Sequence, residues 1–189
     1  MPLNGTKVRL REVRESDLPL LLALRNDLDT QGWSQTLPTD YTIVTYKKQF
    51  EEDTFSTKRT RARFVIETID TNEVAGNISY YSLRPRYAVT IGIAIAKKFW
   101  SAGLAYDAQE TLLHFLFEEL GVRIVRLWTT GSNVQAIRLG ERSGFKVAVR
   151  MREAIIRRGK LADNVVMDLL REEYYDLHPE LEDHLPPLE

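Results

Sequence analysis

Apolar and charged residues alternate at Val8, Arg9, Leu10 and Arg11, which predicts a half-buried strand near the start of the chain. The apolar run over residues 18–24 then predicts a helix ending near Asn26, with Ser16 as N-cap and Pro19 early enough to be tolerated. Residues 29–42 are rich in turn formers, and a weaker helix is expected over 44–53. Strands follow, beginning at Phe64-Val65-Ile66, continuing over 74–83 after the polar turn Asp70-Thr71-Asn72-Glu73, and over 87–96 after Arg84-Pro85-Arg86. In the last of these Val89, Ile91, Ile93 and Ile95 share one face, while Thr90, Gly92, Ala94 and Ala96 share the other. The first face reads as core. The second is so thinly clad that another chain or ligand can approach its backbone closely.

A long helix is expected over 103–120, with Leu104, Ala108, Leu112, Leu116 and Leu120 at four-residue spacing and Gly121 as its cap. Beyond it the pattern predicts a strand over 122–130, a helix over 133–142, a strand after Gly144-Phe145, and a hairpin turning at Arg158-Gly159-Lys160 onto 163–170. The segment from Tyr174 onward is acidic and proline-bearing, so it is expected to be a peripheral tail to a domain spanning 1–173. Together these elements predict an α+β fold around a mainly antiparallel mixed sheet.

Composition narrows the function. The chain has 189 residues, 43% of them hydrophobic, enough for one well-buried core. With 26 Lys+Arg against 27 Asp+Glu, the net charge of -1 excludes a generally basic nucleic-acid binder. Arg150, Arg152, Arg157 and Arg158 form a local basic stripe, but their strand spacing and lack of interleaved aromatics favour a solvated face. The absence of cysteine removes thiolate catalysis and Cys-ligated zinc. His114 falls mid-helix and His178 and His184 in the tail, so no metal centre is expected. No apolar leader or membrane-length apolar run occurs, which predicts a cytoplasmic protein without membrane contact.

The chemistry-bearing feature is the junction IAIAKKFWSAGLAYDA, ending at Ala108, where the thinly clad strand passes through Lys97 and Lys98 into a helix opening at Ser101-Ala102-Gly103-Leu104-Ala105. Successive N–H groups at a helix start, flanked by small residues, can cradle a phosphate. A tight strand-to-helix turn would look the same.

The junction resembles the acetyl-CoA motif of the GCN5-related N-acetyltransferases, Arg/Gln-x-x-Gly-x-Gly/Ala, at Trp100, Gly103 and Ala105. Trp100 and the run Gly103-Leu104-Ala105-Tyr106-Asp107-Ala108 are similar to the ribosomal-protein (RimJ/RimL-like) branch. So are Asn133 with Ala136, Glu141-Arg142-Ser143-Gly144-Phe145, and Gly159 with Asp163. The resemblance spans about residues 7 to 172. It implies a sheet of about seven strands with about four helices, acetyl-CoA as cosubstrate, no metal, an amine-bearing acceptor and a homodimer. It further implies that the backbones of Ile93, Ala94 and Ile95 pair with the pantetheine arm, and that Ser101, Ala102, Gly103, Leu104 and Ala105 hold the pyrophosphate. Trp100 belongs to the same motif. Asn133 is implied near the pantetheine and Arg142 near the adenine end, although Asn133 serves equally well as a helix cap.

The family's usual catalytic positions are chemically silent here, occupied by Thr90, Ala136 and Gly140. Substitutes are Glu67 and Tyr80 on neighbouring strands and Ser132 or Ser143 near the thioester end, each with an ordinary structural reading beside the catalytic one. Trp33 and Tyr41 stand where relatives shape the acceptor pocket, or anchor a loop. Weak proton-removal machinery suits an acceptor of low pKa. A lysine-like amine is only about 0.04% neutral at pH 7, against roughly 14% for an α-amine. This favours a protein or peptide α-amine, leaving a polyamine, another small amine or antibiotic, or a noncatalytic acyl-CoA-binding module as the alternatives.

Overall fold

The computed structural model describes residues 2–31, 42–55, 60–157 and 159–183. Among them one sheet runs in the order β1 (Leu3–Asn4), β2 (Val8–Glu12), β3 (Ala62–Thr68), β4 (Val74–Arg84), β5 (Ala88–Ile95), β6 (Ile124–Thr130), β8 (Lys160–Leu170) and β7 (Lys146–Arg157). All neighbours are antiparallel except β5 and β6. That pair is joined by a helical crossover, as a parallel connection requires. The helices are α1 (Leu18–Asn26), α2 (Leu28–Gln31), α3 (Ile43–Phe55), α4 (Leu104–His114), α5 (Val134–Arg142) and α6 (Arg171–Leu177). The α+β class expected from the sequence is the observed one. The sheet has eight strands rather than about seven because the short β1 is added at its edge. The six helices exceed the expected four because α2 and α6 form as well.

The sheet carries a core on each face. Leu18, Leu21 and Leu24 of α1 pack with Tyr46 of α3 and Val65 of β3 on one side. Leu104, Ala108, Leu112 and Leu113 of α4 pack with Ile66, Ile78, Val89 and Ile91 on the other. The alternation along β5 therefore does what its sequence implies, burying Val89, Ile91 and Ile95 against α4. α4 ends earlier than expected, at His114, and residues Phe115–Glu119 continue as a π-helical turn.

Two expectations are corrected. Ser16 does not cap the first helix. The carboxylate of Asp17 takes the N–H of Arg14 at 2.7 Å and closes a 3₁₀ turn over Glu15–Asp17 instead. Nor are residues 174–183, the described part of the C-terminal segment, a detached tail. Tyr174 is 2% exposed and stacks on Phe117 with ring centroids 4.4 Å apart. Arg171, also buried, donates to the carbonyl oxygens of Phe117 at 2.6 Å and Val122 at 3.4 Å, and to Asp183 at 2.8 Å. Those carbonyls terminate the π turn and its exit, where helix ends leave acceptors unpaired. The packed chain thus runs past 173 to at least Asp183.

A buried ionic cluster ties β2 to β3 and to the start of α1. Arg11 donates to Asp17 through Nη1 and Nη2 at 2.8 and 2.9 Å and to Glu67 through Nε at 2.6 Å, while Arg9 reaches Glu67 at 3.2 Å. Burial opposes the charge of Asp17, but the Arg11 guanidinium and the Arg14 N–H hold its carboxyl below the ordinary aspartate range. Removing the Arg11 cation leaves buried Asp17 without a guanidinium partner and Glu67 with Arg9 alone. Arg11→Met is accordingly expected to cost about 3–5 kcal/mol in urea denaturation, and a loss below about 1 kcal/mol would show that the cluster contributes little.

Candidate functional site

The parallel ladder between β5 and β6 begins at Ala88 with Ile124 and ends at Ile91 with Leu127. Both strands continue, β5 to Ile95 and β6 to Thr130, yet they no longer pair. Each is held by its outer neighbour, β5 by β4 as far as Ile95 and β6 by β8 as far as Thr130. Between them opens a cleft of about 1200 Å³, walled by Ile91, Gly92, Ile93 and Ala94 on one side and Leu127, Trp128 and Thr129 on the other. Along residues 92–95 one edge of β5 has no strand partner among the described residues, so an extended ligand can complete the ladder there.

Close packing fixes β5 in this position. A Cβ on Gly76 of β4 would lie 2.1 Å from the Ala94 carbonyl oxygen, so only glycine permits the approach. The indole N–H of Trp100 donates to the Ile95 carbonyl oxygen at 2.8 Å and pins the strand's end to the following loop. This gives Trp100 a structural reason to replace the Arg/Gln of the motif.

Past β5 the chain enters α4 through two left-handed residues, Ser101 at φ 65° and Gly103 at φ 78°. The second is where glycine is least strained. A turn of this kind at the head of an eleven-residue helix can present its N–H groups to an anion, as a cradle would. Ser101, Ala102, Gly103, Leu104 and Ala105 form this turn and the start of the helix. Lys7, which sequence reasoning missed, lies across this loop with Nζ 3.2 Å from the Ala102 carbonyl oxygen. It is brought there by Asp107. The Asp107 carboxylate accepts from the N–H of Thr6 at 3.0 Å, Lys7 at 2.7 Å and Val8 at 2.9 Å, and from the Thr6 hydroxyl at 2.7 Å.

The remaining sequence candidates divide. Asn133 lines the cleft and also caps α5, its Oδ1 accepting from the Ala136 N–H at 3.2 Å. Arg142 stacks its guanidinium over Tyr106 of α4, 3.8 Å from the ring centroid, near the cradle. Tyr80 lines the cleft. Glu67 and Ser143 lie outside it: Glu67 is engaged by Arg9 and Arg11, and Ser143 is buried at the end of α5. These contacts give Glu67 a structural role and remove it from the cleft. Gly140 faces inward, where a Cβ would meet the Met167 thioether and Leu127 at 3.1–3.3 Å. Packing of α5 on β6 and β8 thus accounts for the small residue. Trp33 and Tyr41 lie outside the described residues.

On the face of the sheet away from α4, the cleft is lined by Leu18, Leu21 and Arg25 of α1, Tyr46 and Phe50 of α3, and by Arg61 and Arg63 near the start of β3. Arg63 donates to the Tyr46 hydroxyl at 3.0 Å. Glu12 is the one carboxylate among the described lining residues. The arginines come from separate parts of the chain, so no local motif announced them. The groups that could carry a metal do not cluster among the described residues, and none of the described helices is long and apolar enough to cross a membrane.

Comparison with known proteins agrees with this geometry. The family described as acetyltransferase (GNAT) domain matches residues 7–146. The uncharacterized N-acetyltransferase p20 of Bacillus licheniformis is 23% identical over 174 residues, covering 91% of this chain and 97% of that protein. Among solved structures, the spermidine N-acetyltransferase from Vibrio cholerae in complex with CoA and spermine superposes with a TM-score of 0.82. It is 20% identical, over 90% of this chain and 99% of that one. A ribosomal L7/L12 α-N-protein acetyltransferase in complex with coenzyme A superposes with a TM-score of 0.76 at 18% identity, over 90% and 98%. At these identities the structural likeness speaks for the fold.

The Asp107 anchor yields a prediction with a definite pH sign. Burial opposes its charge, but the hydrogen bonds from Thr6, Lys7 and Val8 outweigh that and hold the folded carboxyl below its ordinary value. A group lowered on folding stabilises above its unfolded pKa, about 3.9, and that stability is lost as pH falls through the folded value. Asp107→Asn should cost about 2 kcal/mol at pH 7 and flatten the fall of stability below pH 4 in urea titrations. An unchanged acid limb would contradict the anchor.

Proposed function

Because the chain belongs to the acetyltransferase (GNAT) domain family and is an N-acetyltransferase, we propose that it uses acetyl-CoA and acts on the α-amine of a protein or peptide N-terminus. One observation carries the cosubstrate half: β5 and β6 continue past their last pair, Ile91 and Leu127, with an anion cradle at the far end of β5. The pantetheine arm would run beside Ile93, Ala94 and Ile95 as an added strand, and the loop over 101–105 would hold the pyrophosphate with Lys7 nearby. Arg142, stacked on Tyr106, would meet the adenine end.

The ionisation of the acceptor supports the second half. A polyamine, which the likeness to a spermidine N-acetyltransferase would favour, presents amines that are almost wholly protonated at pH 7. An α-amine, with its lower pKa, supplies more of the neutral nucleophile to a site where the family's usual catalytic positions hold Thr90, Ala136 and Gly140. Tyr80 is the sequence candidate for acid–base work that lines the cleft, and we assign it the proton for the departing thiolate.

Thiol release from acetyl-CoA, followed with a thiol-reactive dye, tests the reading, and the cysteine-free enzyme adds no background. Peptides with a free N-terminus should turn over at least about tenfold faster, by kcat/KM, than spermidine at pH 7. Faster turnover of spermidine would overturn the acceptor assignment. Tyr80→Phe should lower kcat about a hundredfold with KM for acetyl-CoA unchanged.

A further inference from the structure

Three buried side-chain atoms have no hydrogen-bond partner among the described residues: Gln109 Nε2, Glu110 Oε1 and Ser143 Oγ. Of these residues only Gln109 lines the cleft. It belongs to α4, 1% exposed, on a helix whose other inward residues are Leu104, Ala108, Leu112 and Leu113. An aliphatic side chain would fill the same place without stranding an amide donor, and a stranded donor destabilises the empty protein. A buried polar group without a partner calls for a ligand to supply one.

Position in the fold indicates which ligand atom that is. Helix α4 starts at the anion cradle and packs back beneath β4 and β5. Gln109 is five residues beyond Leu104, about 7.5 Å down the helix axis. Along β5 that descent corresponds to about two residues, from Ile95 to Ile93, two residues short of the vertex where Ile91 and Leu127 last pair, and the Gln109 side chain lines the same cleft as both. A cosubstrate with its phosphates at the cradle and its arm along β5 would carry its thioester toward this vertex. The side chains of Ile91, Leu127 and Leu139 that share the lining there are aliphatic.

We propose that Gln109 Nε2 donates a hydrogen bond to the carbonyl oxygen of the bound thioester, a catalytic contact that rests on the acetyl-CoA reading above. In the transfer the amine nitrogen bonds to the carbonyl carbon and the carbonyl π pair moves onto oxygen. The pair returns as the C–S bond breaks and sulfur leaves with its electrons. The amine proton is lost and the thiolate takes up a proton. The amide of Gln109 meets the charge that develops on oxygen, from a position that is itself buried. This role also explains why a destabilising residue stands in an otherwise apolar helix face.

Calorimetric titration with acetyl-CoA and with S-ethyl-CoA, a thioether lacking the carbonyl oxygen, tests the assignment in the wild type, Gln109→Leu and Gln109→Met. The wild type should prefer acetyl-CoA about tenfold, and both variants should bind the two probes alike. Each variant should melt no lower than the wild type in the absence of cosubstrate, because the stranded amide is gone, and kcat should fall about a hundredfold. Retention of the acetyl-CoA preference in the variants, or a lower melting temperature in both, would overturn the role of Gln109. A wild type that binds neither probe would overturn the acetyl-CoA reading itself.

Discussion

The ladder between β5 and β6 stops at Ile91 and Leu127 while both strands run on, and the rest of the molecule is organised by that interruption. A partly buried strand edge such as that at Gly92, Ile93 and Ala94 is costly unless something pairs with it. The chain keeps this one open by securing each strand from its outer side. Gly76 lets β4 approach the backbone of Ala94 and Ile95, and Trp100 takes the Ile95 carbonyl. On the other side β8 holds β6 through Thr130. The opening is thus a property of the surrounding contacts, present before any ligand arrives.

The two faces of the opening differ in kind. On the α4 side lie aliphatic walls with the single buried amide of Gln109. On the α1 and α3 side the described lining is more polar, with Arg25, Arg61, Arg63 and Glu12 beside Tyr46 and Phe50. The ends of the site are anchored by charge as well. Asp107 brings the N-terminal segment and Lys7 to the cradle, and Arg11 joins β2 to Asp17 and Glu67.

Much of this was legible where it is local. The alternation of Val89, Ile91, Ile93 and Ile95 with small residues identified the strand that borders the cleft, and Gly103 marked the left-handed turn into α4. Contacts assembled from distant segments were not legible. Lys7 is drawn to Ala102 by a carboxylate a hundred positions away, and the arginines at 25, 61 and 63 meet only after folding. Acidic composition hid the packing of the last helix, although Leu170, Tyr174 and Leu177 offered a helical spacing that could have revealed it. Gln109 read as one polar residue on a long helix, and only its burial beside the opened ladder gave it meaning.

The central claim is that the unpaired edge of β5 receives the cosubstrate as a strand. Amide hydrogen exchange at Gly92, Ile93, Ala94 and Ile95, with and without saturating coenzyme A, tests it most directly. Exchange should slow along this stretch when coenzyme A binds, because the ligand closes the open edge. Binding of coenzyme A with exchange there unchanged would contradict the account.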